Sequence, residues 1–220
     1  MALIYSPNIV RSGLVLAVDA ADRNSYPGSG TTWYDVSGNG KNAEMSATNA
    51  PVFTTLNGIK CFQASDLSSQ YFYVSNYTFS TTGRTYELWI NQTTVSIGYQ
   101  TWADDNLSER VLFGLYNSNF YIYPSLQQAS AIAAGEWTYV AYTLAGDNGS
   151  TAIGYKNGNS IISGTYGYNL ASGTGTLYLM GDNQGEGMSG YCALVRTYNR
   201  VLSPQEITQN YNAQKSRFGL

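Results

Sequence analysis

Any acid–base or metal chemistry in this chain has to come from carboxylates, because the sequence contains no histidine. Ser-His-Asp and Cys-His relays, histidine-ligated zinc and an imidazole general base are therefore excluded. The densest carboxylate groupings are Asp104-Asp105 with Glu109, and Asp182 with Glu186 in the run Gly181-Asp-Asn-Gln-Gly-Glu-Gly187. Calcium takes six to eight oxygen ligands, and these loops could supply some of them. Their spacings match no EF-hand or repeat, so the acidic loops are expected to face solvent and no metal or other cofactor is expected. Glu87, in Glu87-Leu-Trp-Ile90, has no second carboxylate two or four residues on, so the acid and nucleophile pair of a glycan hydrolase is not formed there. Cys61 and Cys192 lie far apart with no CxxC, which excludes a thiolate cage; free buried thiols are expected over a single bridge.

Aromatic residues offer a different chemistry. Trp33, Tyr34, Trp102, Tyr166 and Tyr168 stand among Asn, Asp, Gly and Thr. A flat ring can cover the apolar face of a pyranose while amides take its hydroxyls. The same rings suit the centre of a protein–protein contact, and packing alone would also place rings at strand ends. Charge is sparse: Lys and Arg number 11 against 14 Asp and Glu, for a net charge of −3. With the basic residues scattered singly and a pI near 4.8, nucleic-acid binding is not expected. The longest early apolar run, Leu14 to Val18, is stopped by Asp19 and is too short for a membrane span or a signal-peptide core; the mature chain is expected to start at Met1. Four Asn-x-Ser/Thr sequons, at Asn76, Asn91, Asn106 and Asn148, are attributed to chance in a chain so rich in these residues.

The elements that would position these side chains read as β throughout. The 20 tyrosines and 23 glycines favour strands joined by tight turns, and 220 residues suit one domain. Gly13 to Asp19 is apolar on both faces and predicts an interior strand. Further strands are predicted near 58–64, 70–75, 84–91, 110–116, 119–123, 136–144, 151–156, 175–181 and 190–198. In the segment from Trp137 to Thr143, both faces call for cover. Asn39-Gly40 and Asn157-Gly158 suit primed turns, the second joining a hairpin between Ile153–Lys156 and Ser160–Ser163. Ser203-Pro-Gln-Glu206 combines an N-cap serine, a first-turn proline and a capping-box glutamate, with Leu202 and Ile207 as a hydrophobic staple; a helix is predicted over 204–214.

The order of these motifs resembles the laminin-G-like members of the concanavalin A-like jelly-roll superfamily. The resemblance is carried by the Trp137-Thr-Tyr-Val-Ala-Tyr strand, the Tyr155-Lys-Asn-Gly158 turn, Leu177-Tyr-Leu-Met-Gly181 and, most specifically, Val195 to Ile207, where a closing strand runs through Tyr198-Asn-Arg into Leu-Ser and a capped helix. The block Gly13 to Ala20, Tyr26 to Trp33 and Asp35 to Gly40, with the ending Tyr211 to Leu220, is similar to stand-alone versions among structural proteins of tailed bacteriophages, cyanophages especially. The family often carries acidic residues in its closing strand; here Ala193 and Leu194 stand in their place, which removes a calcium role there.

The resemblance implies an all-β jelly-roll sandwich of two antiparallel sheets with a short C-terminal helix: an arm over 1–12, the sandwich over 13–214 and a tail over 215–220. It implies a non-enzymatic virion structural protein, a decoration or cement subunit on the outer capsid surface, forming a homo-oligomer and binding the major capsid protein or other virion proteins, with no membrane or nucleic-acid partner. A glycan-binding receptor-recognition module of a tail appendage, with a host-surface glycan as partner, is the alternative. The arm residues Leu3, Ile4 and Tyr5 and the tail residue Phe218 are expected to dock, either on the capsid protein or on the parent sandwich.

Overall fold

The computed structural model describes residues 8–48, 50–65, 70–95, 98–105, 110–128, 132–168 and 173–220. The described strands are β1 (Leu14–Asp19), β2 (Thr32–Trp33), β3 (Ala43–Met45), β4 (Val52–Leu56), β5 (Ile59–Ala64), β6 (Phe72–Phe79), β7 (Arg84–Gln92) and β8 (Tyr99–Asp104). The second half adds β9 (Leu112–Tyr116), β10 (Asn119–Ile122), β11 (Leu126–Gln128), β12 (Trp137–Leu144), β13 (Thr151–Lys156), β14 (Asn159–Thr165), β15 (Gly173–Leu179) and β16 (Gly190–Tyr198). They form two antiparallel sheets. The first runs β14-β13-β12-β7-β16-β5-β4, with β1 added beside β16; the second runs β11-β10-β9-β8-β15-β6-β3-β2. Two sheets packed face to face over non-consecutive neighbours give the expected jelly roll.

Apolar residues alternate so that one set fills the space between the sheets. Leu88 and Ile90 from β7, Val140 and Tyr142 from β12, and Phe113, Phe120, Leu177 and Leu179 from the second sheet all belong to this core. The opposite faces of β7, β12 and β16 carry a second apolar layer that includes Trp89, Trp137, Tyr139 and Leu194. Water is kept from it by α1 (Pro204–Gln214) and the 3-10 helix Lys215–Phe218. This double cover is why every residue of β7 and β12 is buried. The predicted staple and cap hold α1 in place: Leu202 and Ile207 are buried against the sheet, the Ser203 side chain accepts the Glu206 N–H, and the Glu206 carboxylate accepts the Ser203 N–H at 2.8 Å. Cys61 lies in the outer layer and Cys192 in the inner one, on opposite faces of one sheet, so the two buried thiols are free.

The described residues of both flanking segments, from Asn8 and up to Leu220, fold back onto this outer layer. Val10 donates its N–H to Asn210 Oδ1 at 2.8 Å and accepts the Tyr198 hydroxyl on its carbonyl at 3.1 Å. Phe218 stacks on Trp89 with ring centroids 3.9 Å apart and planes 3° from parallel, and Arg217 pairs with Asp19 at 2.6 Å. Phe218 is thus an anchor to the parent sandwich and is not free to reach a capsid protein. Leu3, Ile4 and Tyr5 lie outside the described residues.

Two expectations about local structure are corrected. Among the described residues β1 is not flanked by strands on both sides: it pairs with β16, and a bulge between Leu14 and Leu16 sends Leu14 to the outer layer while Leu16 enters the core. Its free edge is covered by the following loop, where Asp35 Oδ1 accepts the Ala17 N–H at 2.9 Å, Ser37 Oγ donates to the Val15 carbonyl at 3.0 Å and Asn39 Nδ2 donates to the Leu14 carbonyl at 3.0 Å. In that loop the positive φ angles fall on Gly38 and Gly40, so Asn39 does not take the backbone of a primed turn and its side chain caps the edge of β1 instead. Asn157-Gly158 does form the hairpin turn, with both residues at positive φ.

Candidate functional site

Among the described residues, the carboxylates singled out by spacing are all engaged. Glu87 is fully buried under α1: Arg196 Nη1 donates to its Oε1 at 2.8 Å, while the Tyr139 hydroxyl at 2.6 Å and Asn210 Nδ2 at 3.0 Å donate to its Oε2. No solvent or substrate reaches it, so it holds the helix to the sheet and cannot act as a glycosidase carboxylate. Asp104, Asp182 and Glu186 converge, but on the guanidinium of Arg110: Nε donates to Asp104 at 3.0 Å, and Nη2 to Asp182 at 2.5 Å and to Glu186. The position a cation would take is filled by an arginine. Among the described residues no group of three His, Cys, Asp or Glu side chains is arranged to hold a metal. Asp105 points the other way, into the sandwich, where it pairs with the buried Arg84 and accepts the Val111 N–H at 2.7 Å; burial nonetheless pushes its carboxyl up to about 6. Glu109 lies outside the described residues.

Three of the five aromatic candidates are core residues. Trp33, Trp102 and Tyr166 are wholly buried. Trp33 packs against Phe62 and Phe72 with centroids 4.8 and 5.1 Å away, and Trp102 against Phe113 at 5.0 Å. Large rings gain most from leaving water, and the polar residues beside them in sequence mark turns, not a binding loop. Tyr34 and Tyr168 are exposed, at 44% and 46%.

A denser aromatic surface covers the outer face of the second sheet. Cross-strand register sets Tyr99 of β8 opposite Tyr116 of β9, and their rings stack at 4.4 Å. Tyr121 of β10 lies opposite Gly114 and is 5.6 Å from the Tyr116 ring and 5.9 Å from that of Tyr99; Tyr123 follows at 6.0 Å from Tyr121. Alternation decides the side: Phe120 and Ile122 go into the core, so Tyr121 points to the outer face, where the rings around it leave it only 7% exposed while Tyr99, Tyr116 and Tyr123 are half-buried. Burial, followed by the neighbouring ring of Tyr99, pushes the Tyr121 phenol up to about 12, and burial likewise raises Tyr99. Both hydroxyls therefore stay protonated near neutrality, able to donate and accept. Asn119 and Gln127 lie on the same face and hydrogen-bond at 3.1 Å.

Further along the same face, Tyr178 of β15 pairs with Tyr73 of β6 and with Asp104 of β8, and Tyr71 meets Tyr178 edge-on at 5.2 Å. The Arg110 cluster thus sits between two groups of tyrosines, tied to β8 by the Thr101 N–H donating to the Glu186 carbonyl at 3.0 Å. Reading the sequence as separate strands misses this face, because each strand contributes only one or two rings. The available signal was the alternation Asn119, Tyr121, Tyr123 within a predicted strand.

The family described as the concanavalin A-like lectin/glucanases superfamily, Laminin_G_3, matches residues 66–208, more than half of the chain. The chain belongs to this family. No curated protein sequence matches this laminin-G-like chain. Domain 4 of AbnA, an extracellular GH43 arabinanase from Geobacillus stearothermophilus solved with arabinotriose, superposes with a TM-score of 0.71 at 17% identity over 91% of this chain and 98% of that one. Trypanosoma rangeli sialidase, in complex with the inhibitor DANA, gives 0.70 at 12% identity over 96% of this chain, which spans only 36% of the sialidase. The binding domain of Paraclostridial Mosquitocidal Protein 1 gives 0.69 at 14% identity over 92% of this chain and 52% of that one. At these identities the likeness is one of fold.

Proposed function

We propose that this laminin-G-like domain is a non-catalytic recognition module that binds glycan on the tyrosine-lined outer face of its second sheet. The observation that carries the reading is the group Tyr99, Tyr116, Tyr121 and Tyr123, with rings 4.4 to 6.0 Å from their neighbours and amides from Asn119 and Gln127 on the same face. Rings present apolar surface to the C–H face of a sugar, and phenols and amides take its hydroxyls. The arabinanase domain solved with arabinotriose and the toxin binding domain, both of the same fold, support a binding role. The test is a glycan array followed by titration of the retained sugars with Tyr99→Ala and Tyr116→Ala, the two half-buried rings that stack on each other. Each substitution is expected to weaken binding at least about tenfold, as loss of a buried aromatic contact does. Binding that neither substitution alters would move the site elsewhere, and the absence of any retained glycan would remove the reading.

A second reading, capsid decoration of a tailed bacteriophage, is favoured by the resemblance of the blocks within residues 13–40 and of the ending 211–220 to phage structural proteins. It places the chain on the outer virion surface, associated with the major capsid protein and with copies of itself. A reconstruction of the particle that finds the domain on the capsid lattice supports it, and one that finds it only at the tail tip refutes it.

A further inference from the structure

The charges around the tyrosine face select among glycans. The chain has 11 lysines and arginines in all, and every one lies among the described residues. Arg84 and Arg196 are buried in ion pairs with Asp105 and Glu87. Lys60 and Lys156 belong to strands of the first sheet, while Arg200, Lys215 and Arg217 belong to the C-terminal segment that packs on that sheet's outer side. Arg11 precedes β1 and Arg23 lies in the loop after it. Lys41 donates to the Asn76 carbonyl at 2.8 Å, further along β6 from Tyr73.

Arg110 alone stands between the two tyrosine groups, and its guanidinium is taken up by Asp104, Asp182 and Glu186. Glu44 adds a fourth carboxylate to the face, opposite Tyr73 in the register of β3 and β6. The tyrosine groups therefore present phenols and amides beside an excess of negative charge, and Arg110, the cation between them, is already paired with three carboxylates. A carboxylate brought here would lose water without gaining a charged partner, and would be repelled by the carboxylates already present.

Resting on the glycan reading above, we infer that the site takes uncharged oligosaccharides and excludes those bearing sialic or uronic acids. The experiment compares matched pairs, a neutral oligosaccharide and the same chain carrying a terminal sialic or uronic acid, by titration at low and at high ionic strength. The neutral member is expected to bind at least about tenfold more tightly at low ionic strength, and added salt is expected to narrow that gap because it screens exposed charges. Glu186→Gln, which releases part of the hold on Arg110, is expected to narrow the gap by improving binding of the acidic member, and an unchanged gap counts against the charge argument. Acidic members that bind as tightly as their neutral partners to the unaltered protein, at low ionic strength, overturn the inference while leaving the glycan reading standing. If neither member of any pair binds, the glycan reading fails and the inference fails with it.

Discussion

Replacing Glu87 by Gln separates a structural carboxylate from a catalytic one. In the native protein three donors converge on its two oxygens, from Arg196 at 2.8 Å, Tyr139 at 2.6 Å and Asn210 at 3.0 Å, with no exposure to solvent. An amide keeps the shape but turns one oxygen into a donor and removes the negative charge. The hydroxyl of Tyr139 can rotate to accept, whereas the guanidinium of Arg196, which is 4% exposed, has no such remedy. Breaking a buried ion pair by removing one partner costs about 3–5 kcal/mol, because the other charge stays buried and uncompensated. For a domain of this size that is a fall in melting temperature of about 6–20 °C, at about 2–4 °C per kcal/mol. Urea titration followed by tryptophan fluorescence suits the measurement, since Trp89 lies in the same layer. Adding Arg196→Met removes the stranded charge, so the double variant is expected to be more stable than Glu87→Gln alone. A loss below about 1 kcal/mol for the single variant, or loss of a glycan-hydrolysing activity at unchanged stability, would refute the assignment.

Gly154→Ala is expected to destabilise by about 1–3 kcal/mol through overpacking, because a Cβ there would come within 2.4 Å of Phe120 Cε1 and 2.8 Å of Ile162 Cγ2; a melting temperature equal to that of the parent would contradict the close approach of the two sheets. The Glu206 carboxyl is lowered from its ordinary 4.5 to about 2, first by hydrogen bonding to Arg200 and further by the Ser203 N–H. Its contribution is complete above about pH 4.5 and is lost as pH falls toward 2, so Glu206→Gln should flatten the stability profile in that window; an unchanged profile would show that the pair is not formed in solution. Chelator is expected to leave thermal unfolding unshifted, since Arg110 occupies the centre of the carboxylate cluster, and a fall of several degrees in EDTA would reveal an ion site.

Legibility in the sequence tracked how local the determining physics is. The helix was readable because its cap, proline and staple sit within six residues, and it forms over Pro204–Gln214 as predicted. The hairpin at Asn157-Gly158 was readable for the same reason. β8 was not: its inward positions are Gln100 and Trp102, and Gln100 is accommodated in the interior by hydrogen bonds to Gln92 at 2.8 Å and to the Thr94 carbonyl at 3.1 Å, which no local pattern announces. β4, opening just after Pro51, is a short edge strand with Val52 exposed, and its weak alternation reads as loop. Among site residues, burial separated look-alikes. Trp33 and Tyr34 are adjacent in sequence, yet one is sealed in the core and the other is 44% exposed. The tyrosine face depends on the register of β8 against β9 and of β9 against β10, information that exists only once the strands have paired.

Val10 and Phe218 are both fastened to the outer layer of the first sheet, while the tyrosines occupy the outer face of the second. The domain is therefore polarised like a plug with contacts on one side and a socket on the other. Any polypeptide, particle or solid support joined through the C-terminus, two residues beyond Phe218, would sit behind the first sheet, and the aromatic surface would be presented outward. Orientation on an array or a sensor chip is built in for a C-terminal tether, and copies fixed side by side in that way would hold their tyrosine surfaces in one plane, where weak individual contacts with a repeating ligand can reinforce one another.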